Sequence, residues 1–213
     1  MYKNIQTMKN KLIKIPLFIA ACVFFISACS KDPISDLSTE ESLVYYTNRD
    51  KAANFQQYKT FSVSDSILVV QNNRSGYALT NFDRDLLSGL IDNMKELGYT
   101  YVGPNDKPDI GLTASYISNT YLNVASIPIS SYWGGYPGYG GYGYGYPSYY
   151  QYYQTQESYW LVSMLDFKNA DTTNKKFPVV WNAQIKGRDI ENPQLVDTMV
   201  NSLFTQSPYL KLQ

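Results

Sequence analysis

The chain has 213 residues, with 18 basic and 18 acidic side chains, two cysteines and no histidine. The missing histidine removes the commonest general base and the commonest transition-metal ligand, and it excludes Ser-His-Asp and Cys-His nucleophile systems. A balanced charge without a basic cluster argues against a nucleic-acid partner, because phosphate neutralisation dominates that affinity.

Residues 1–28 read as a lipoprotein signal peptide. Lys3, Lys9, Lys11 and Lys14 lie in a stretch without acidic residues, and an apolar run of 12 residues follows from Ile15 to Ile26. That is the charged and hydrophobic pattern of a secretory signal. The run is shorter than the ~20 residues a helix needs to cross a bilayer. Ile26-Ser27-Ala28-Cys29 then resembles a bacterial lipobox. In proteins with that motif the cysteine is diacylated on sulfur, the signal is cut before it, and the new amine is acylated. The competing reading is an ordinary signal with a chance cysteine, but charges, apolar run and box all agree in position. Cys29 is therefore the expected lipidation site, carrying palmitate-type chains into the membrane. Met8 offers a second start that leaves the same mature protein.

Cleavage leaves residues 29–213, with 14 basic against 18 acidic side chains and a net charge of −4. This length suits one domain with a single substantial core. Cys22 departs with the signal and Cys29 is consumed by lipid, so no thiol remains for a disulfide, a metal or catalysis. No cofactor and no metal site are expected.

Residues 29–42 read as a polar lipidated tether, with Lys31, Asp32, Asp36, Glu40 and Glu41 and little to bury. Residues 43–213 are the expected domain. Alternation predicts a strand from Leu43 and a second over Tyr58–Val63, with Ile67–Val70 either extending the second or forming a short extra one. Phe82, Leu86, Leu90, Ile91, Met94 and Leu97 recur at spacings of three and four and predict a helix over Asn81–Leu97. Thr80 and Asp83 suit its start, and Gly98 suits its end. Asp109–Asn119 reads as a strand with Ile110, Leu112, Ala114 and Tyr116 on one face. Tyr159–Phe167, almost continuously apolar, reads as a central strand. Val179–Lys186 alternates, with Val179, Trp181, Ala183 and Ile185 on one side. Asn192 and Pro193 open a last helix that buries Leu195, Val196, Met199, Val200, Leu203 and Phe204. The expected class is α+β, a mostly antiparallel sheet in the order β-β-α-β-β-β-α with both helices on one face.

One stretch breaks the pattern. No charged side chain occurs from Ile110 to Gln156, and Tyr132–Tyr153 holds ten of the 21 tyrosines and seven of the 13 glycines. Glycine and proline disfavour regular structure, so an irregular Gly/Tyr-rich insertion is expected at about 130–155. Three readings compete for it. It is a low-complexity insertion without a ligand, a binding platform, or a surface for self-association. As a platform, its candidate residues are Tyr132, Trp133, Tyr136, Tyr139, Tyr142, Tyr144, Tyr146, Tyr149 and Tyr150.

Carboxylates are the remaining route to catalysis. Asp83 and Asp85 stand two apart and point in different directions on a helix, while Asp106 and Asp109 flank a turn and shape it. No spacing resembles a calcium loop. A carboxylate-dependent glycan hydrolase survives as the alternative to a non-enzymatic module.

Several short marks, in order, resemble a known family. They are Phe55-x-x-Tyr58-Lys59-Thr60-Phe61, Leu97-Gly98-Tyr99, Pro108-Asp109-Ile110, Asp166, Val179-Val180-Trp181 and Leu203-Phe204. Together they are similar to the bacterial lipoprotein family called domain of unknown function 4136, over roughly 43–208. Relatives often carry arginine where this chain has Asn182. The resemblance implies a lipobox, an insertion at this place and no established catalytic residue. It supports a cell-envelope location and the fold and leaves function open; the expectation is a module held in the bilayer through acylated Cys29, with an envelope protein or glycan as partner. Ser30 stands where many inner-membrane lipoproteins have aspartate, and this tips the expectation toward the outer membrane. Whether the domain faces the periplasm or the cell surface stays open.

Overall fold

The computed structural model describes residues 37–71, 74–118, 123–128, 148–153, 158–171 and 176–213. Strand β1 (Val44–Arg49) is followed by a 3-10 turn at Phe55–Gln57, capped by the Asn54 side chain. Strands β2 (Thr60–Val63), β3 (Ile67–Gln71) and β4 (Arg74–Ala78) precede helix α1 (Asn81–Glu96). The short β5 (Thr100–Tyr101) leads to β6 (Ile110–Ser118). Strands β7 (Asn123–Pro128), β8 (Ser148–Tyr153), β9 (Ser158–Asp166) and β10 (Val179–Lys186) follow. Helix α2 (Val196–Thr205) continues from a 3-10 turn at Pro193–Leu195.

Eight strands form one mixed sheet in the order β1-β10-β9-β6-β2-β5, with β3 on β6 and β4 on β3. Its long pairings, β1–β10, β10–β9 and β9–β6, are antiparallel, as is the β3–β4 hairpin. Strands β2 and β3 share one edge of β6 in parallel, Phe61–Val63 beside Ile110–Leu112 and Leu68–Gln71 beside Ser115–Ser118. The mixed α+β class, the mostly antiparallel sheet and the two helices agree with the sequence reading. The element order does not. Four strands precede α1 instead of two, and β5 stands between α1 and β6. Arg74–Ala78 has neither an apolar alternation nor strand-forming residues throughout. Its strand state comes from pairing with β3, a tertiary effect that overrides weak propensity.

The larger core lies on the face that receives both helices. Phe82, Leu86, Leu87, Leu90 and Met94 of α1 and Met199, Val200, Leu203 and Phe204 of α2 join Ile110, Leu112, Trp160, Val162, Met164, Trp181 and Ile185 in one buried cluster. A smaller cluster on the opposite face holds Leu68, Val70, Ile117, Tyr159, Leu161, Leu165, Phe167 and Phe177. Strand β9 supplies alternate residues to both, which is why it reads as almost wholly apolar.

Val179 departs from expectation. A register shift between Val179 and Trp181 places Val180 in the large cluster and Val179 against the small one. An extra residue in one strand reverses the facing of everything before it, so simple alternation fails there.

The ends of the helices follow their signals. Thr80 Oγ1 accepts from Asp83 N at 3.2 Å, and Asp83 Oδ2 accepts from Thr80 N at 2.6 Å, a closed capping box. Gly98 sits at φ +97, the left-handed region that ends α1.

Candidate functional site

The predicted site residues separate into two groups. Cys29, Tyr132, Trp133, Tyr136, Tyr139, Tyr142, Tyr144 and Tyr146 lie outside the described residues. Tyr149 and Tyr150 lie on β8, paired with Ile127 and Ser126 of β7 in a separate two-stranded sheet. Six residues of the expected irregular loop, Ser148–Tyr153, are therefore strand. Ser148–Tyr153 carries no glycine or proline, and its aromatic residues suit a paired strand once β7 stands beside it.

The carboxylates serve the backbone. Asp83 closes the capping box, and Asp106 Oδ2 accepts from Gly103 N at 3.0 Å, shaping its turn as expected. Asp109 does more than shape a turn. Its Oδ2 accepts from Lys59 N at 2.7 Å and from Thr60 N at 3.2 Å, clamping the start of β2 beside β6. Lys168 Nζ stands 3.7 Å from Asp109 Oδ1 and donates to Gln57 O at 2.9 Å.

Next to that clamp is the most polar point of the core. Asp166, only 4% exposed, accepts on Oδ2 from Tyr58 Oη at 2.7 Å and from Asn169 Nδ2 at 2.8 Å. Its Oδ1 accepts from Asn169 N at 2.8 Å. Burial, and then the hydrogen bond to this carboxylate and its charge, push the Tyr58 hydroxyl well above its usual titration range. Three donors let this carboxylate stay in the interior, because charge-assisted hydrogen bonds replace its water shell.

Aromatic rings continue the network toward the chain end. Phe55 stands edge-on to Tyr58 at 6.3 Å and 5.8 Å from the ring of Tyr209. The Arg49 guanidinium lies 4.1 Å over Tyr209. Trp181 Nε1 donates to Ser207 Oγ at 3.0 Å, and Gln56 Nε2 donates to Lys211 O at 2.9 Å. Marks that are short and far apart in sequence, Phe55–Phe61, Pro108–Ile110, Asp166 and Val179–Trp181, thus meet at one end of the sheet. Asn169, Ser207 and Tyr209 complete the meeting place and were missed by sequence reasoning. Only Asn169 left a signal, as the third residue beyond Asp166 in a turn.

Chemically this end is a set of staples. Among the described residues no three of His, Cys, Asp and Glu gather where a metal could be held. No helix among them is long and apolar enough to cross a membrane.

A family model described as domain of unknown function (DUF4136) matches residues 45–209. The chain is similar to a solved DUF4136 family protein from Bacteroides thetaiotaomicron, at 31% identity and a TM-score of 0.59, covering 80% of this chain and 98% of that one. Weaker likenesses are to a PelC dodecamer from Paraburkholderia phytofirmans (11% identity, TM-score 0.40, covering 80% of this chain and 99% of that one). A PDZ domain protein from Parabacteroides distasonis is matched at 12% identity and a TM-score of 0.40, covering 79% of this chain and 37% of that one. No curated protein matches.

Proposed function

The chain belongs to the family described as domain of unknown function (DUF4136), and on that premise we propose that it is a non-enzymatic lipoprotein of the cell envelope, anchored through Cys29. One observation carries this reading: Ile26-Ser27-Ala28-Cys29 directly follows a lysine-bearing start and an apolar run too short to span. A single acyl chain holds a protein only reversibly, and each buried methylene adds about 0.8 kcal/mol, so two or three chains on one cysteine make the attachment lasting. The polar residues 29–42 then join anchor to domain.

The role of the domain is to bind an envelope protein or glycan, with the outer membrane as its place. Asp83, Asp106, Asp109 and Asp166 favour the non-enzymatic reading over a carboxylate-dependent hydrolase, since each spends its oxygens on backbone or side-chain donors of its own fold. A hydrolase needs two carboxyl groups facing across a cleft, about 5–9.5 Å apart and open to substrate. The residues with the chemistry of a binding platform are the tyrosines of the Gly/Tyr-rich stretch.

Cys29→Ala tests the anchor. The expected result is loss of labelled palmitate incorporation, together with an uncleaved precursor or release from the membrane fraction. A Cys29→Ala protein cut at the same site and still held by the membrane overturns the lipoprotein reading.

A further inference from the structure

Strand β1 is an edge of the sheet, paired only with β10 among the described residues. Asp50 N donates to Val180 O at 2.9 Å, which continues the β1–β10 register by one residue. In an antiparallel pair the backbone groups alternate in direction. Val44, Tyr46 and Asn48 therefore face β10, and Tyr45, Thr47 and Arg49 turn their N–H and C=O groups to the outer edge. Both ends of that edge are closed. Arg49 N is taken by Asn48 Oδ1 at 3.0 Å, and Leu43 N by Glu40 O at 3.1 Å. Between them, among the described residues, stands an open ladder centred on Tyr46. Side chains there match an interface more than a guarded edge. Val44 is 60% and Tyr46 56% exposed, and the strand has no lysine, proline or bulge to discourage pairing.

The charges flanking the strand say what fits. Glu40 and Glu41 precede it, while Arg49 and Lys51 stand at its far end. A strand laid antiparallel on this edge meets opposite charges at both ends if it has this same sequence. We infer that β1 is a self-association edge, on which a second copy of the chain pairs antiparallel through its own β1 about a two-fold axis at Tyr46. Tyr45 and Thr47 each exchange both backbone hydrogen bonds with Thr47 and Tyr45 of the other copy. The two Tyr46 rings lie side by side across the axis, in the closer, non-hydrogen-bonded kind of pair. Glu40 and Glu41, in the turn before each strand, then lie toward the end of the other strand, where Arg49 and Lys51 stand. An isologous contact of this kind closes at two copies. It buries less than the ~1,000 Å² expected of a lasting dimer in dilute solution, so it forms where copies are concentrated, as a shared membrane anchor would do.

Cross-linking of the full chain in its native cell fraction provides the test. Tyr46→Cys, treated with a short bis-maleimide, is expected to give a covalent dimer at least ten-fold above both the parent chain, which controls for Cys22 and Cys29, and Asp92→Cys on the exposed side of α1. Adding Thr47→Pro removes an outward N–H without touching the bonds to β10, and should abolish the cross-link while the melting profile is kept. Glu41→Lys should weaken the cross-link several-fold, and Lys51→Glu in the same chain should restore it. A Tyr46→Cys yield no greater than that of Asp92→Cys overturns the inference. So does a cross-link to a protein of different mass, or one indifferent to both Thr47→Pro and the charge exchange.

Discussion

Tyr58 and Asp166 stand 108 positions apart in sequence and 2.7 Å apart in space. Their bond shows how a single side chain can hold together distant parts of a sheet. Removing one donor from a buried carboxylate costs more than the loss of a neutral hydrogen bond, about 1.5–3 kcal/mol. Tyr58→Phe should lower the unfolding free energy by that amount, read as a lower denaturation midpoint with an unchanged slope, since Asn169 still supplies two donors. The same bond has a pH signature. A free tyrosine titrates near ~10, and burial and Asp166 hold Tyr58 above that. The unfolded chain thus releases a proton that the folded chain keeps. Stability is full below the unfolded value and falls as pH rises through and beyond it. Tyr99, raised by burial while donating to Leu210 O at 2.7 Å, acts in the same direction. Chemical denaturation between about pH 9 and 11 should show a shallower decline for Tyr58→Phe than for the parent chain, and not a flat one.

Strand β6 carries the next lesson, because its partners occupy both edges and both of its faces are covered. Gly111 lies opposite Leu165 on β9 and Ser62 on β2. A Cβ added there would stand 2.2 Å from Phe167 Cζ, and that ring is packed at 4.6 Å against Phe177. Glycine is needed for the close approach of the ring to the backbone, a role that an isolated glycine inside a strand often has. Gly111→Ala should destabilise by about 1–3 kcal/mol through overpacking. The double change with Phe167→Leu should recover part of the lost melting temperature, which separates a steric cause from a loss of strand pairing. The helices were the easier elements to read. Their apolar residues recur at helical spacing, and the cap at Thr80 and the stop at Gly98 are local events. The Val180 bulge and strand β4 were not legible, because each exists only through the strand beside it.

The pairing of β6 with β9 along nine residues ties the chain across its most unusual stretch, and most of the helical core is built from residues on either side of it. Strand β8 at Ser148–Tyr153 pairs with β7, which leaves 129–147 as the Gly/Tyr-rich part outside the described residues. Replacing residues 129–147 by a short Gly/Ser linker should leave a cooperative transition with a melting temperature within a few degrees, since closing a longer or shorter loop changes entropy only by ~0.6 kcal/mol per doubling. Glycan-array and pull-down comparison of the two forms then tests the tyrosines. Loss of binding with the fold intact supports a platform, equal binding eliminates it, and loss of folding shows that the aromatics, Trp133 first, belong to the core.

The sequence alone determined what is local. Helices, caps, the central strand and the α+β class follow from spacing within one segment, because burial of one face imposes its own period on the residues that line it. The lipobox-like stretch Ile26-Ser27-Ala28-Cys29 is local too, and the proposal of a Cys29 anchor rests on it. Tertiary structure decided what depends on partners. The strand order, the switch of Val179 to the other face, and the exposure of one edge of β1 arise from pairing between segments far apart in the chain. Asp166 is the sharpest case. Its place in the chain gives no hint of Tyr58, and only folding brings the hydroxyl and the carboxylate to 2.7 Å, in a buried place where the low dielectric strengthens their bond.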